Sequence, residues 1–301
     1  MSMKRTIFNW CLRTRTLELG RRTLVCGVIN ITPDSFSDGG AFLDPDQAVA
    51  HGLRLMDEGA DLLDLGAEST RPGSRAGGAP PGVSAKEEIA RLLPVLEKLA
   101  NRLPPAVLSV DTYKSETARA ALNAGAEIIN DVSGFMWDPA LAQVCAELSA
   151  GVILTQARGL PEEWRAQPQL APNLLLATVR EGLAASVAAA ESVGISRESI
   201  VLDPGYGFGK RLGENYTLLA RQGELLDLGQ PLMAGVSRKS FLGHTLAPLF
   251  GGNAAPVNAR ENTSLAAMTA AILNGASIVR VHEVRPAVEA ARVADAILDA
   301  S

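Results

Sequence analysis

Short apolar runs alternate with longer segments of helical period from residue 24 to the end of the chain. The eight runs cover residues 24–29, 61–66, 106–110, 127–129, 151–154, 199–202, 231–236 and 276–281. Polar or turn residues follow each run, which is typical of a buried strand that ends at a loop. A strand and a helix repeated about eight times, at spacings suited to right-handed crossovers, predict an α/β protein folded as a (β/α)8 TIM barrel.

The segments between these runs have apolar residues at the spacing of an α-helix. We expect helices over residues 46–59, 84–102, 115–124, 138–149, 174–193, 215–226, 263–274 and 283–300. Residues 72–83 are rich in Gly and Pro and residues 158–172 lack clear periodicity, so both are predicted to be loops. The prediction is a single domain over 1–301, with the barrel proper at about 22–301 and a short N-terminal extension at 1–21. An open doubly wound sheet is the alternative, but its edge and switch point are not evident in the pattern.

The amino-acid composition argues against some classes of binding partner. The 301 residues are 47% hydrophobic, enough for a large core, and the net charge of −5 comes without a basic block, which argues against nucleic acid. Cys11, Cys26 and Cys145 are far apart and form no C-x-x-C pair, which predicts reduced thiols and a cytoplasmic location. The sequence shows neither a signal-peptide run nor an apolar run long enough to span a bilayer, so we expect no membrane segment.

Polar residues stand at or just after the carboxyl ends of seven predicted strands. They are Asn30, Thr70-Arg71, Asp111, Asn130, Asp203, Lys239 and Arg280-His282. Each one alone is as typical of a helix cap, a turn or a solvated loop. In a barrel, however, these ends meet on the face that carries the chemistry, so together they predict one site.

The chemistry of these side chains falls into two groups. Two carboxylates, an amide and an ammonium (Asp111, Asn130, Asp203, Lys239) suit a flat heterocycle with the 2-amino-4-oxo edge of guanine or a pterin. A second group, Arg71, Arg280 and His282, suits a phosphate or pyrophosphate. Asn30, with Asp38 nearby in the sequence, offers oxygen to a hard cation such as Mg²⁺ that also binds substrate phosphates.

Seven motifs of the chain resemble, in order, the signatures of the dihydropteroate synthase family. They are 30–40 (NITPDSFSDGG), 68–73 (ESTRPG), 111–114 (DTYK), 129–134 (INDVSG), 202–210 (LDPGYGFGK), 235–240 (GVSRKS) and 278–282 (IVRVH). The resemblance covers nearly the whole chain from Leu24. It implies a barrel, usually dimeric and a target of sulfonamides, that joins 4-aminobenzoate to 6-hydroxymethyl-7,8-dihydropterin diphosphate with Mg²⁺ and releases pyrophosphate.

The same resemblance assigns roles to residues of this chain. It implies that the pterin diphosphate is held by Thr70, Asp111, Asn130, Asp203, Lys239, Arg280 and His282. It places Phe36, Pro72, Phe208, Ser237 and Ser240 around the aminobenzoate, and Asn30 at the metal. For the reaction itself we expect roles for Asp111, Asp203, Lys239, Arg71 and Asp38. Attack by the arylamine at the pterin methylene needs no protein nucleophile.

One stretch departs from the family pattern. After the fifth strand the family commonly has His-Met, whereas this chain has Thr155-Gln156-Ala157-Arg158-Gly159. Two alternatives therefore stay open: a non-catalytic pterin-binding paralogue, and the methyltetrahydrofolate-binding barrel of a corrinoid methyltransferase. The second would share the Asp and Asn contacts to a pterin but would not need the pyrophosphate group or residues 237–240.

Overall fold

Eight parallel strands pair in one closed ring in the computed structural model, which describes residues 5–32, 44–78, 81–102 and 106–300. The strands are β3 (Leu24–Asn30), β4 (Leu62–Gly66), β5 (Val107–Asp111), β6 (Ile128–Asp131), β7 (Gly151–Thr155), β8 (Ile200–Asp203), β9 (Leu232–Ala234) and β10 (Ala276–Val281). The last strand pairs in parallel with both β9 and β3, which closes the ring. The predicted (β/α)8 barrel is confirmed, and the doubly wound alternative is wrong because this sheet has no edge.

Helices follow the strands as predicted, with ends shifted by a few residues. They are α1 (Pro45–Asp57), α2 (Ala85–Arg102), α3 (Ser115–Asn123), α4 (Ala140–Glu147), α5 (Pro172–Ser192), α6 (Leu212–Arg221), α7 (Ser240–Thr245), α8 (Glu261–Leu273) and α9 (Val284–Asp299). The helix predicted at 215–226 is instead divided into α6 and a 3₁₀ segment, Gln222–Leu228. The short α7 was not predicted, since six residues are too few to show a helical period. None of the helices in the described part of the chain is long and apolar enough to cross a membrane.

Side chains alternate between the two faces of each strand, so one set of them fills the barrel interior. Each barrel strand contributes an apolar side chain to one buried inner layer: Cys26, Leu62, Val107, Ile128, Ile153, Val201, Met233 and Ile278. The residues between them, such as Leu63 and Val152, belong to the separate cluster that packs against the helices. Residues two positions after the inner layer point to the same face, because side chains alternate along a strand. This rule carries polar residues of six strands to the carboxyl end of the barrel: Asp64, Ser109, Asn130, Thr155, Asp203 and Arg280.

A β-hairpin closes the opposite end of the barrel. Its strands β1 (Phe8–Cys11) and β2 (Thr16–Leu19) pair antiparallel, and Trp10, Leu12 and Leu19 pack onto the inner layer. The Trp10 indole Nε1 donates to the carbonyl oxygen of Ser199 at 3.0 Å. No strand was predicted within 1–21, and the division of the chain into 1–21 and 22–301 stays a prediction.

Candidate active site

A buried carboxylate lies at the centre of the carboxyl face. Asp64, on β4, is 0% exposed and accepts three side-chain hydrogen bonds. Its donors are Ser109 Oγ at 2.6 Å, Asn130 Nδ2 at 2.9 Å and Arg280 Nε at 2.6 Å. The guanidinium of Arg280 also reaches Asp111, with Nη2 to Oδ2 at 2.9 Å. Four strands are thereby joined by charge-assisted hydrogen bonds, which are shorter and stronger than neutral ones.

Asp111 is the more accessible of the two carboxylates, with 21% of its side chain exposed. Burial raises the pKa of Asp111 to about 7, while the Arg280 guanidinium acts against this shift and the Asp64 carboxylate adds to it. Burial therefore favours the protonated form of this carboxyl more than in an exposed aspartate. A carboxyl of this kind can donate or accept a hydrogen bond with a heterocycle, and such shifted groups concentrate at functional sites.

Asp203 lies at the end of β8 and is 4% exposed. The backbone N–H of Gly205 donates to its Oδ1 at 2.7 Å, which fixes the carboxylate direction. Burial raises its pKa, and the hydrogen bond from Gly205 and the charge of Lys239 partly oppose the rise. Asn130, 5% exposed, lies two strands away on β6, so the two groups are about a quarter of the way round the barrel mouth from each other.

Lys239 lies at the end of the loop after β9. Its ammonium nitrogen is 3.8 Å from the centroid of the Phe208 ring, a cation–π contact. Burial lowers the pKa of Lys239 to about 8, although the nearby Asp203 carboxylate counteracts the fall. A cation with a pKa this low loses its proton readily, unlike an exposed lysine.

His282 has cations on several sides. Its Nδ1 lies 3.0 Å from Ser237 Oγ. Burial lowers the pKa of His282 to about 3, and the charges of four residues act in the same direction: Arg238, Arg280, Lys239 and Arg71. A pKa lowered in this way favours the neutral imidazole near pH 7 while no anion is bound. An anion bound among these four positive charges would favour its protonation.

Gln156 occupies the stretch that departs from the family pattern. Its backbone oxygen and its Oε1 accept hydrogen bonds from Lys210 Nζ at 2.7 and 2.6 Å. The Gln156 N–H donates to the Asp203 carbonyl oxygen at 3.0 Å. This residue therefore connects the ends of β7 and β8 beside the buried Asp203.

The fold and much of the sequence are similar to those of known proteins. The family model described as pterin binding enzyme matches residues 26–282. Dihydropteroate synthase of Mycobacterium leprae is 42% identical over 278 residues, which cover 92% of this chain and 94% of that protein. Dihydropteroate synthase of Escherichia coli K12 is 40% identical over 276 residues, covering 92% of each.

The chain belongs to the dihydropteroate synthase family.

Solved structures of the family share the whole fold. Yersinia pestis dihydropteroate synthase, solved with a sulfonamide drug complex, has a TM-score of 0.87 and 37% identity, and the match covers 98% of this chain and 100% of that chain. The Xanthomonas albilineans enzyme in complex with 7,8-dihydropteroate has a TM-score of 0.81 and 38% identity, covering 96% and 98%.

Some of the residues predicted from the family motifs are in direct contact with one another. Direct contacts join Asp111 to Arg280, Lys239 to Phe208 and Ser237 to His282. Thr70 is half-buried in the loop after β4, whereas Arg71, Pro72 and Ser240 are exposed. Phe36 and Asp38 lie outside the described residues. The roles assigned to all of these residues stay predictions.

Asn30 ends β3 and is half-buried. None of the described residues makes a hydrogen bond to its side chain, so its carboxamide oxygen is available to a hard cation. No group of three His, Cys, Asp or Glu side chains within 5–32, 44–78, 81–102 and 106–300 forms a metal cluster. This donor set fits an ion that keeps most of its waters and bridges to a substrate phosphate, as Mg²⁺ usually does.

The sequence analysis did not predict Asp64, although it accepts three side-chain hydrogen bonds at the site. A signal was present, since Asp64 is the one charged residue between Leu62 and Gly66, in a run that is otherwise apolar. A buried charge in a strand needs a partner, and alternation puts Asp64 on the inner face.

Proposed function

We propose that this chain joins 4-aminobenzoate to 6-hydroxymethyl-7,8-dihydropterin diphosphate, forming 7,8-dihydropteroate and pyrophosphate. The observation that carries the proposal is the pairing of two different recognition groups at one barrel mouth. Asp111, Asn130 and Asp203 offer the polar atoms that a pterin edge requires. Beside them, four cations are close enough to His282 to lower its pKa, and the same positive charge would favour a bound diphosphate.

The reaction is a displacement at the pterin methylene carbon. The lone pair of the arylamine forms the new C–N bond as the C–O bond breaks, and that electron pair leaves with pyrophosphate. The amine then releases a proton to solvent. Arg71 and Arg280 stabilise the charge that grows on the leaving group, and a protonated His282 adds to this effect. Asp111 and Asp203 hold the ring and stabilise positive charge that develops on it as the bond breaks.

Mg²⁺ belongs to the proposal as the cofactor, and Asn30 would hold it. When bound, it neutralises part of the diphosphate charge and so makes pyrophosphate a better leaving group. An Asn30→Ala variant should need more Mg²⁺ for half-maximal rate, while its pterin binding without metal should match that of the original chain.

The cation group favours this reaction over the two alternatives. A methyltetrahydrofolate-binding barrel transfers a methyl group and has no diphosphate to hold. A non-catalytic pterin-binding paralogue needs the ring contacts only. The cluster of Arg71, Arg238, Arg280 and Lys239 around His282 has a use when the substrate carries a diphosphate.

The family resemblance also leads us to propose a cytoplasmic homodimer. Helix α9 exposes 61% of Val293 to solvent, and Leu249 after α7 is 78% exposed. Apolar surface of this kind is consistent with contact between copies, and sedimentation equilibrium tests the dimer.

The decisive assay follows dihydropteroate and pyrophosphate together from purified protein, both substrates and Mg²⁺. Equal amounts of the two products are expected. Asp203→Asn should lose pterin diphosphate binding, measured by calorimetry. Asp295→Asn is the matched control, since Asp295 also accepts a backbone N–H, from Thr23 at 2.9 Å, but at the opposite end of the barrel. Tight pterin binding with neither product would refute the proposal in favour of a non-catalytic paralogue.

A further inference from the structure

The segment 158–170, part of the loop predicted at 158–172, is held by buried polar contacts. Arg158 Nη1 lies 3.3 Å from Glu214 Oε1, and the two side chains are 8% and 2% exposed. The same carboxylate accepts from the Leu170 N–H at 2.7 Å, and Gln167 Nε2 donates to the Arg158 carbonyl oxygen at 3.0 Å. The segment is therefore anchored at both ends, next to the loop 204–211.

Trp164 is the largest buried side chain of this segment, at 4% exposed. Its Nε1 donates to the Gly159 carbonyl oxygen at 3.0 Å, which fixes the plane of the indole. The indole packs on the Phe208 ring, with centroids 5.0 Å apart and planes tilted by 48°. The Lys239 ammonium in turn lies over the Phe208 ring, 3.8 Å from the ring centroid. The order of contact is Trp164, Phe208, Lys239.

The segment also contacts the loop on the other side of the barrel mouth. The Pro161 carbonyl oxygen accepts a hydrogen bond from the Gly73 N–H at 2.8 Å. Gly73 directly follows Pro72, and both Pro72 and Phe208 are among the residues predicted to surround the aminobenzoate. One segment thus contacts two parts of the predicted aminobenzoate pocket, and neither contact involves the groups predicted to hold the pterin ring at Asp111 and Asn130.

We infer that Trp164 is a positioning residue for the aminobenzoate half of the site: it fixes the position of the Phe208 ring. This inference rests on the proposed function and names a residue that sets the affinity for the arylamine. An aromatic pair and a cation–π contact are each of moderate strength, so loss of Trp164 should change binding of one substrate without removing catalysis.

The test compares the KM values of the two substrates in Trp164→Leu. We expect the KM for 4-aminobenzoate to rise roughly 5- to 10-fold, from the loss of ring contact and of ordering at Phe208. The KM for the pterin diphosphate should change by less than about twofold, because Trp164 contacts none of the residues predicted to hold the pterin and reaches one of them, Lys239, through the Phe208 ring alone. Trp164→Phe keeps an aromatic ring against Phe208 and should restore most of the aminobenzoate affinity.

Trp10→Leu is the matched control, because Trp10 is also a buried indole that donates to a carbonyl oxygen at 3.0 Å, but at the opposite end of the barrel. It should lower the melting temperature without changing the ratio of the two KM values. If Trp164→Leu does not fold, Trp164→Met, which fills more of the volume, takes its place.

Equal changes in both KM values, or the same change in Trp10→Leu, would overturn the positioning role. Failure of the proposed function itself is distinguishable, since the original chain would then form no product.

Discussion

Replacing Asp64 by Asn tests whether this buried carboxylate stabilises the barrel mouth. The carboxylate accepts from Ser109, Asn130 and Arg280, and none of its surface is exposed. In the variant, the amide oxygen can still accept from Ser109, and a rotated Asn130 amide can accept from the new N–H₂. The ionic hydrogen bond with Arg280 has no such replacement, so the guanidinium keeps Asp111 alone as its carboxylate partner among these residues.

The expected loss in unfolding free energy is about 2–4 kcal/mol. A hydrogen bond to a charged group contributes about 1.5–3 kcal/mol, and breaking a buried ion pair costs up to about 3–5 kcal/mol. The expected loss lies between these values because Arg280 is 21% exposed and keeps its ion pair with Asp111. The variant should also have a lower pKa at Asp111, since the Asp64 carboxylate helps to raise it.

Denaturant unfolding of Asp64→Asn and of Asp61→Asn measures this effect against a matched control. Asp61 also pairs with an arginine, Arg22, but that arginine is 60% exposed. Exposed pairs contribute about 0–1 kcal/mol, so the control should lose much less stability. If Asp64→Asn were as stable as Asp61→Asn, the account of Asp64 as the central acceptor of the site would be wrong.

Two further predictions concern stability. Between a pH of about 4 and about 7, folded Asp111 holds a proton that the unfolded chain has released, so its contribution to unfolding free energy falls as pH rises. Asp111→Asn should remove this fall, which has a slope of up to about 1.4 kcal/mol per pH unit, and a pH series of denaturant titrations measures the difference; parallel curves would contradict it. Gly77 has a φ of +73°, and a Cβ there would lie 2.7 Å from the Trp137 ring. Gly77→Ala should cost about 1–2 kcal/mol in thermal unfolding, whereas Gly213→Ala, with open space around it, should be neutral or slightly stabilising; equal losses would refute this reasoning.

Most of the barrel was predictable because its strands are buried on both faces and therefore read as short apolar runs. The hairpin of β1 and β2 escaped prediction for the opposite reason. Each of its four-residue strands buries a single side chain, Trp10 in one and Leu19 in the other. Such a short alternating pattern cannot be separated from a polar terminus by period alone.

The site was predictable to the extent that its residues end strands. Asp111, Asn130 and Asp203 stand directly at strand ends, where a barrel collects its chemistry. Asp64 stands within its strand and was read as part of the apolar run. The ordered course of 158–170 was not predictable either, because its anchor, Glu214, belongs to α6.

The sequence by itself determined the order of strands and helices, the residues that end each strand, and the family. Those properties depend on local period and on motifs that lie within a few residues of one another. Tertiary structure alone decided which strand ends meet. Arg280 bonds to Asp64 across 216 residues of chain because β10 closes the ring against β3, next to β4. Burial in that closed ring, a property of no single segment, raises the pKa of Asp111 and lowers that of His282.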